Sequence, residues 1–595
     1  MISLHPIDYF IIIWFLAIIM GIGVYFSKAA SKSVGNYFVA GRSLPWWIAG
    51  TSMVATTFAA DTPLAVTGLT AQYGIAGNWF WWSFVFGGVL TAIFYATLWR
   101  RSGVITDIEF TELRYSGKPA AILRAFRSIH MGLLINGIIM GWVMLAMATI
   151  FQVVLGWPRF ESTVLAAGFA LTYVLLSGLR GMAVTDVIQF MLAMMGCVVL
   201  AILAVMKSGG IAGIKESLVS IYGQNGASQI LSFTPNLSSA YMPIAIFLTY
   251  IGLNWYASWY PGAEPGGGGY VAQRMFSCKS EKDSKLAVIW FTFAHYVIRP
   301  WPWIIVALVS MVTWPNLSNP EMGYPMAMST FLPVGLRGLI IAAFLAAFMS
   351  TMASQISLGS SYIVNDFYMR FIRKDAPKKH YVKAARLVSV IELLVAIFIA
   401  FVITSVAGAW KFLVIIGAGT GLVYLLRWFW WRINAWSEIS AMGAAIVFGL
   451  ASSYIFPDAN NPNTWAMQMW STFAVVTAVW ITVTLLTKPE SDETLTRFYT
   501  KLHPGGFWGR IEKISGVKGD RITASHWMSW IFGVIFILCA LFGIGNIILG
   551  STLTGLLLMA LAAVSFLIVY SNIMKGDARI VRKIARLKNI PRQHL

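Results

Sequence analysis

A proline- and glycine-rich stretch interrupts an apolar segment near the middle of this chain. Residues 255–270 read WYASWYPGAEPGGGGY, with Pro261, Pro265 and four consecutive glycines. No continuous helix accommodates two prolines and four glycines at this spacing. Irregular backbone at membrane depth persists only where protein or a water-filled cavity satisfies its polar groups. Because Glu264 lies inside the interruption, the stretch predicts a broken transmembrane helix that forms part of a binding site.

The composition indicates that the whole chain is an all-α polytopic membrane protein. Of its 595 residues 58% are hydrophobic and only 11% are charged, whereas soluble domains carry about a quarter charged residues. The rule of about 20 apolar residues per spanning helix predicts about fifteen transmembrane spans. Numbered in chain order, they are 8–28, 45–70, 77–99, 128–154, 161–180, 184–207, 242–275, 286–314, 334–364, 385–407, 411–431, 436–456, 465–487, 526–549 and 552–572.

The basic residues that give the net charge of +20 are distributed according to the order of these spans. Nearly all Lys and Arg residues lie in alternate gaps, at 28–42, 100–127, 274–285, 370–386, 427–432, 488–525 and 575–592. The positive-inside rule then places the N-terminus outside and the C-terminus in the cytoplasm, as an odd number of spans requires. Basic charge therefore reports topology, and we expect no nucleic-acid partner.

A second apolar span is also interrupted. Span two reads PWWIAGTSMVATTFAADTPLAVTG from residue 45, with Asp61 and Pro63 near its middle. Spans two and seven each open a set of five spans, so residues 45–241 and 242–435 enter the membrane with opposite orientation. Paired broken helices in inverted halves are typical of secondary transporters with a midplane site. Residues 1–44 would be the first helix and a loop, and 436–595 peripheral helices with a cytoplasmic connector at 488–525 and a basic tail.

Span nine carries a group of hydroxyl side chains. Ala347, Ser350, Thr351 and Ser354 share one side of a helix by their spacing. Hydroxyls, together with carbonyls freed at a helix break, are oxygen ligands that suit a hard cation. The alternative is that each hydroxyl bonds back to the carbonyl four residues earlier, as membrane Ser and Thr commonly do.

Four motifs in the same chain order resemble the sodium:solute symporter family, which includes the sodium/galactose, sodium/proline and sodium/sialic acid transporters. They are GTSMVATTFAADT in span two, SGLRGMAVTDVIQ between spans five and six, GGYVAQRMFSCKSEKDS after the break in span seven, and AAFLAAFMSTMAS in span nine. The resemblance covers about residues 8–430. It implies a LeuT-type 5+5 inverted-repeat core and sodium-driven import of a small polar organic solute.

The resemblance also implies a sodium site between spans two and nine. Its ligands would be the carbonyl oxygens of Ala55, Phe58 and Ala347 and the hydroxyls of Ser350 and Thr351.

Asp186 matches an acid on the family's sodium path, which in some members helps to bind a second sodium. Those members have hydroxyls at the positions of Ala353 and Ser354, so one ligand is missing here. Asp186 and Ser354 would therefore serve a second sodium or the sodium release path. The alternative for Asp186 is an ion pair with Arg180.

The solute is expected to bind at the two breaks. By resemblance, Thr57, Asp61 and Thr62 face it from span two, and Tyr270 contacts it from span seven or acts as an inner gate. Gly268 stands where sugar-binding members have Asn, and the aromatic stretch around Trp81 replaces an acid and a serine. From the residues alone, Trp255, Trp259 and Glu264 suit a sugar, a cyclic amine or a cationic ligand, although packing is the alternative for either tryptophan.

Span eight adds two ionisable residues, His295 and Arg299, in an apolar run. They form a possible charge pair, and Arg299 could instead pair with Glu264, because intramembrane charges usually find one another.

The leading prediction is a sodium-coupled symporter in the cell membrane, with Na⁺ and a small polar solute as its ligands. Proton coupling through Asp61, Glu264 or Asp186 and a transporter-like sensor are the alternatives. We find no nucleophile–base pair, so an enzyme is not expected. The sequence identifies neither the solute nor the oligomeric state.

Overall fold

The computed structural model of the chain describes residues 4–30, 34–235, 242–257, 264–403, 406–458 and 461–588. Its regular elements are helices, and within the described ranges eleven helical segments are long and apolar enough to cross a membrane. The predicted all-α membrane architecture is therefore confirmed. The count of about fifteen spans, the orientation of the termini and the division at residues 45, 242 and 436 stay predictions.

The N-terminal half of the chain contains twelve α-helices in the described residues. They are α1 Pro6–Ala30, α2 Val34–Val39, α3 Trp46–Thr57, α4 Asp61–Tyr73, α5 Trp79–Trp82, α6 Val85–Leu90, α7 Ala96–Ser102, α8 Phe110–Arg114, α9 Gly117–Ile129, α10 Asn136–Leu155, α11 Arg159–Lys207 and α12 Gly210–Leu231. Short π-helical segments join some of them, at Thr91–Tyr95 and His130–Ile135. The polar helix α12 was not expected from the sequence.

The second half begins with the helices of spans seven to eleven. They are α13 Ile244–Gly252, α14 Gly269–Ser277, α15 Glu281–Phe293, α16 Pro300–Thr313, α17 Gly323–Phe331, α18 Leu336–Ser361, α19 Lys378–Val402, α20 Val406–Gly417 and α21 Gly421–Leu426. Two more π-helical segments, Ala294–Ile298 and Tyr362–Ile372, lie in spans eight and nine. The C-terminal helices are α22 Ala435–Ile455, α23 Pro462–Leu486, α24 Asp492–Leu502, α25 Gly509–Ser515, α26 Ala524–Leu549 and α27 Thr552–Lys588.

Spans five and six belong to one helical run, α11, which is 49 residues long. At about 1.5 Å per residue, a straight helix of this length would measure more than twice the roughly 30 Å of the hydrocarbon core. However, the hydroxyl groups of Tyr173 and Thr185 are hydrogen-bonded to each other. Twelve residues of straight helix would separate them by about 18 Å along the axis. The run therefore turns sharply between these two residues.

The two ends of α11 lie on the same face of the protein. Arg159 donates to the carbonyl of Ala400 at the end of α19, and Lys207 donates to the carbonyl of Phe331 just before α18, at 3.0 Å. The other ends of spans nine and ten are joined by residues 373–377. The run thus crosses the helix layer and returns, which agrees with the prediction of two spans.

Both predicted helix breaks are present. Span two divides into α3 and α4 around Phe58, and span seven divides into α13 and α14. Gly266 and Gly267 have φ angles of 79° and 86°, a region that favours glycine. The backbone also passes close to its neighbours, because the Trp99 indole donates to the carbonyl of Gly266 at 2.8 Å. The glycines thus allow both the turn and the close approach.

The connector at 488–525 folds back onto the core instead of forming a plain linker. It contains α24 and α25, and the Trp508 indole donates to the carbonyl of Trp428 at 3.0 Å. Arg101 forms ion pairs with Glu281 and with Asp520, at 2.9 and 2.5 Å. These contacts join the connector to the ends of spans three and eight.

Candidate functional site

The two helix breaks face a common cavity. Most of the substrate residues predicted from the sequence line it, together with the two ionisable residues of span eight: Thr57, Asp61, Thr62, Trp81, Trp255, Glu264, Tyr270, His295 and Arg299. Trp259 lies outside the described residues. The cavity also includes Ala59 and Gly267, which belong to the breaks themselves. The structure therefore brings together side chains that are more than 200 positions apart in the sequence.

Arg299 holds the span-two side of this cavity. Its guanidinium is fully buried and donates to the Thr57 hydroxyl at 2.9 Å and to the Thr57 carbonyl at 3.1 Å. It also donates to Nδ1 of His295 at 2.8 Å. The two residues are thus in direct contact, as a hydrogen-bonded pair with His295 as the acceptor. The suggested pair with Glu264 is wrong, because these bonds direct Arg299 towards the broken end of α3.

Asp61 is the first residue of α4, at the second half of the broken span. Only 3% of its surface is exposed, and the Thr62 hydroxyl lies 3.5 Å from its carboxylate. A helix N-terminus stabilises a carboxylate there. The break therefore places an acid at the cavity wall without a direct arginine partner among the described ion pairs.

Aromatic side chains form the other walls. Trp81 stacks on Tyr296 with ring centroids 5.9 Å apart, and Trp142 packs edge-on against Trp410 at 6.4 Å. The sequence reasoning selected Trp81 but missed Trp142, Tyr296 and Trp410. Tryptophans in apolar spans are usually read as interfacial anchors, so no local signal separated these three from the rest.

Glu264 forms one end of the cavity. It is 6% exposed, and within the described residues its Oε2 atom has no hydrogen-bond partner. Gly268 lies directly behind it, because a Cβ atom added there would come within 1.8 Å of that oxygen. Gly268 is absent from the cavity lining. Its position therefore indicates that it makes room for Glu264 rather than contacting solute through its own surface.

A buried charge cluster lies beyond Glu264. Glu438 accepts from Arg127 at 3.1 Å and from Arg427 at 3.2 Å, and all three side chains are at most 1% exposed. The Tyr115 hydroxyl donates to the same carboxylate at 2.6 Å. Arg127 and Arg427 also act electrostatically on Glu264. The cluster joins α9, the end of α21 and α22.

The two helices that carry the predicted sodium ligands touch where α3 ends against α18. The Thr351 hydroxyl donates across to the carbonyl of Thr56 at 2.8 Å and back to the carbonyl of Ala347 at 3.2 Å. Helical back-bonding is therefore present, but it is not the sole contact. The backbone N–H of Phe58 bonds to the carbonyl of Ala55 at 3.1 Å. Span nine thus meets the carbonyl-rich end of the broken helix.

Asp186 accepts hydrogen bonds from Ser350 at 2.6 Å and from Ser52 at 2.5 Å. Its cationic neighbour is Arg274, whose Nη2 atom lies 3.8 Å from the carboxylate. The predicted alternative of a pair with Arg180 is therefore wrong, since Arg180 is exposed.

Arg274 also occupies the neighbourhood of Ser354. Its guanidinium donates to the Ser354 hydroxyl at 2.5 Å and, through Nε, to Ser52 at 3.1 Å. The Thr56 hydroxyl lies 2.9 Å from that of Ser354. The second group of predicted ion residues thus surrounds a positive side chain supplied by α14.

Three comparisons with known proteins agree. The profile of the Sodium:solute symporter family matches residues 37–447. A sodium/glucose cotransporter of Vibrio parahaemolyticus is 27% identical over 475 residues, which are 75% of this chain and 85% of that protein. The sodium/myo-inositol cotransporter of Mus musculus is 24% identical over 559 residues, 84% of this chain and 76% of that protein.

Among solved structures, a Na⁺-coupled sialic acid symporter in a substrate-bound outward-open state has a similar fold. Its TM-score is 0.64 at 21% identity, with 82% of this chain and 100% of that chain covered.

Two broken helices around a buried polar cavity, in a polytopic helical protein, are the arrangement found in many secondary transporters. This chain belongs to the sodium:solute symporter family, since the family profile covers more than half of it. It is a multi-pass membrane protein that couples sodium to the transport of a small organic solute. The family and these relatives are transporters rather than enzymes.

Proposed function

We propose that sodium binds between the broken end of α3 and the middle of α18. The carbonyls of Ala55, Phe58 and Ala347 and the hydroxyls of Ser350 and Thr351 would supply the oxygen ligands that a hard cation prefers. The observation that carries this proposal is the hydrogen bond from Thr351 to the Thr56 carbonyl, which brings the two helices together. Sodium at this position would hold span two against span nine.

We further propose that each cycle carries one sodium. The guanidinium of Arg274 lies among Asp186, Ser52 and Ser354, where it provides a fixed positive charge. A second cation there would meet like-charge repulsion in a buried site, which is costly. Ala353 also lacks the hydroxyl that a second site requires. Asp186 would then serve the path by which sodium leaves.

The cavity favours a polyhydroxyl solute such as a sugar or polyol. Aromatic faces at Trp81 and Trp142 provide flat apolar surfaces, while Asp61 and Glu264 offer acceptor oxygens to hydroxyl groups. Similar proteins are described as glucose and myo-inositol cotransporters. Tyr270, on the first turn of α14, is fully buried and lines the cavity, so it would contact solute or gate its exit.

Transport would then proceed by alternating access of the two inverted repeats, 45–241 and 242–435. Sodium and solute bind in turn from outside, and the charge cluster around Glu438 keeps the opposite side closed. Opening requires this cluster to separate. The membrane potential assists, because each charge moved inward gains about 2.3 kcal/mol per 100 mV.

The test is uptake by purified protein in proteoliposomes, with sugars, polyols, sugar acids and amino acids as separate probes. An inward sodium gradient should drive accumulation of at least one sugar or polyol above its outside concentration. Accumulation driven only by a pH gradient in sodium-free buffer would reject sodium coupling. Binding without accumulation would indicate a sensor.

A further inference from the structure

Glu392 is a buried acid that the proposed transport cycle does not use. It lies in the middle of α19, and only 1% of its surface is exposed. Within the described part of the chain, neither of its carboxylate oxygens has a hydrogen-bond partner. An ionised carboxylate with no donor and no counter-charge at membrane depth is strongly disfavoured. The side chain therefore requires a cation or a proton of its own.

Polar atoms of Asn136, on α10, and of Gly132 lie near Glu392, where it packs on Gly359 of α18. A Cβ atom placed on Gly359 would come within 2.0 Å of Oε1 of Glu392, 2.5 Å of Nδ2 of Asn136 and 2.7 Å of the Gly132 carbonyl oxygen. These three groups thus surround the same point on span nine. Gly132 belongs to the π-helical segment 130–135, a type of irregularity that is frequent at functional sites.

The nearby amide does not neutralise the carboxylate. The Nδ2 atom of Asn136 donates to the carbonyl of Gln355 at 2.8 Å, and its Oδ1 atom has no described partner. Two oxygens of Glu392, one of Asn136 and the carbonyl of Gly132 are therefore acceptors gathered at one place. Neither oxygen of Glu392 receives a hydrogen bond among the described residues, so a proton on the carboxylate would relieve this excess of acceptors.

Titratable side chains on the segments packed against α19 are engaged elsewhere or exposed. Arg370 pairs with Glu112, Lys207 and Arg337 donate to the carbonyls of Phe331 and Leu332, and Glu161 and Arg180 are exposed. Arg159 bonds to the Ala400 carbonyl, Tyr173 to Thr185, Asp186 to Ser350, Tyr362 to Asp107, Asp366 to Arg124 and Tyr368 to His380, while His130 stacks on Phe126. On α2, Tyr37 packs edge-on against Phe38. On α19 itself, Lys383 and Arg386 are at least six residues from Glu392. No described ion pair includes Glu392.

We propose that Glu392 is a proton-binding site, with Asn136 and the Gly132 carbonyl as its polar neighbours. Sodium would need several more oxygens and more room than the close packing at Gly359 leaves. A proton needs only one acceptor oxygen. The carboxylate takes the proton from the aqueous phase and becomes a carboxylic acid. Loss of the proton at high pH returns it to water and leaves an unpaired charge where α10, α18 and α19 meet.

The Glu392 site lies against span nine, the helix that carries the proposed sodium ligands. Gly359 lies nine residues after Ser350, so it is about 13 Å further along α18 and on the opposite face. One face of this helix thus carries the proposed sodium ligands, and the other packs on Glu392. Deprotonation would weaken the packing that supports the sodium-binding helix.

Infrared spectroscopy of the full-length protein in lipid tests this proposal without any solute. The wild type should show a protonated carboxyl band near neutral pH that Glu392→Gln lacks and that Glu216→Gln, a change at an exposed acid on α12, retains. Identical carboxyl bands in the wild type and Glu392→Gln would overturn it. If Glu392→Gln does not fold, Glu392→Asp should shift the band, and an unshifted band would count against the site.

Two further readouts separate a proton from sodium. Adding sodium chloride in place of potassium chloride should leave the Glu392 band unchanged, and a loss of that band on adding sodium would reassign the site to sodium. Raising the pH from about 7 to about 9, where buried acids can titrate, should lower the melting temperature of the wild type more than that of Glu392→Gln. Equal losses in the two proteins would contradict the proposal.

Discussion

The guanidinium of Arg274 donates a 2.5 Å hydrogen bond to the hydroxyl of Ser354. This contact joins the second half of the broken span seven to span nine. It places a permanent positive charge beside Asp186, at 3.8 Å, in the region where related sequences suggested a second cation. A tethered cation in this position explains why the chain can lack a hydroxyl at Ala353.

The proposal of one sodium per cycle rests on this contact. Sodium stimulation of wild-type uptake should have a Hill coefficient of about 1, because a coefficient cannot exceed the number of coupled sites. Arg274→Lys should keep that value. Arg274→Gln combined with Ala353→Ser removes the charge and adds a ligand, so the sodium dependence should become steeper. A wild-type coefficient near 2 would contradict a single site.

Gly268→Ala should impair solute binding through Glu264. The new Cβ would lie 1.8 Å from the Glu264 carboxylate oxygen, so the acid must move. We expect at least a tenfold rise in the solute concentration for half-maximal uptake, equivalent to about 1.4 kcal/mol. The matched control is Gly168→Ala, where a Cβ meets nothing within 4 Å. Glu264→Asp in the Gly268→Ala protein should recover part of the affinity, and equal effects of the two alanines would count against the contact.

Glu438→Gln should destabilise the closed side of the cavity. It leaves Arg127 and Arg427 without the carboxylate that both contact, and breaking a buried pair costs about 3–5 kcal/mol. The melting temperature in detergent should fall clearly. Glu490→Gln is the control, since Glu490 accepts bonds from partly buried Ser116 rather than from a buried arginine. Similar melting temperatures for both variants would show that the cluster does not stabilise this side.

Glu112, which lies outside the membrane spans, should make a pH-dependent contribution to the free energy of unfolding. Burial opposes its ionisation, but hydrogen bonds from Arg370 and Arg124 outweigh burial and lower the pKa of Glu112 below its ordinary value. Its stabilising effect is therefore present at neutral pH and is lost as the pH falls through the lowered pKa. The free energy of unfolding of the wild type should exceed that of Glu112→Gln by up to about 1 kcal/mol at pH 7. The difference should shrink below about pH 4, and a difference that grows with acid would reverse this account.

The helix breaks could be predicted because their signals are local, whereas Thr57, Asp61, Thr62 and Tyr270 were predicted from the family resemblance. Four consecutive glycines after Pro265 cannot continue a helix, and Pro63 lies in the first turn of α4, where proline is tolerated and marks a helix start. Acids next to such breaks in apolar spans point to a site. The bend in α11 includes the predicted gap between spans five and six, at 180–184, but nothing in the sequence indicates that helical structure continues through it. Its clearest sign is a side-chain contact, between Tyr173 and Thr185.

Which side chains contact each other across the fold was harder to predict than which residues lie at the site. Arg299 was expected to pair with an acid, yet it donates to the Thr57 carbonyl. An interrupted helix leaves carbonyl groups free to accept, and a sequence pattern does not show which side chain will bond to them. Likewise Arg274 was passed over as one of many cytoplasmic basic residues. Its burial against Asp186 depends on how α14 packs on α3 and α18.

The most direct test of the sodium site is sodium-driven uptake by Ser350→Ala and Thr351→Ala in proteoliposomes. An oxygen that contacts a charge is worth about 1.5–3 kcal/mol, so each variant should need roughly 10- to 100-fold more sodium for half-maximal stimulation. Ser361→Ala is the control, because that hydroxyl bonds within α18 to the Leu358 carbonyl at 2.7 Å. The account predicts this shift in the first two proteins, seen as little stimulation at sodium concentrations that saturate the wild type, and normal stimulation in the third. Unchanged sodium dependence in both Ser350→Ala and Thr351→Ala would contradict it.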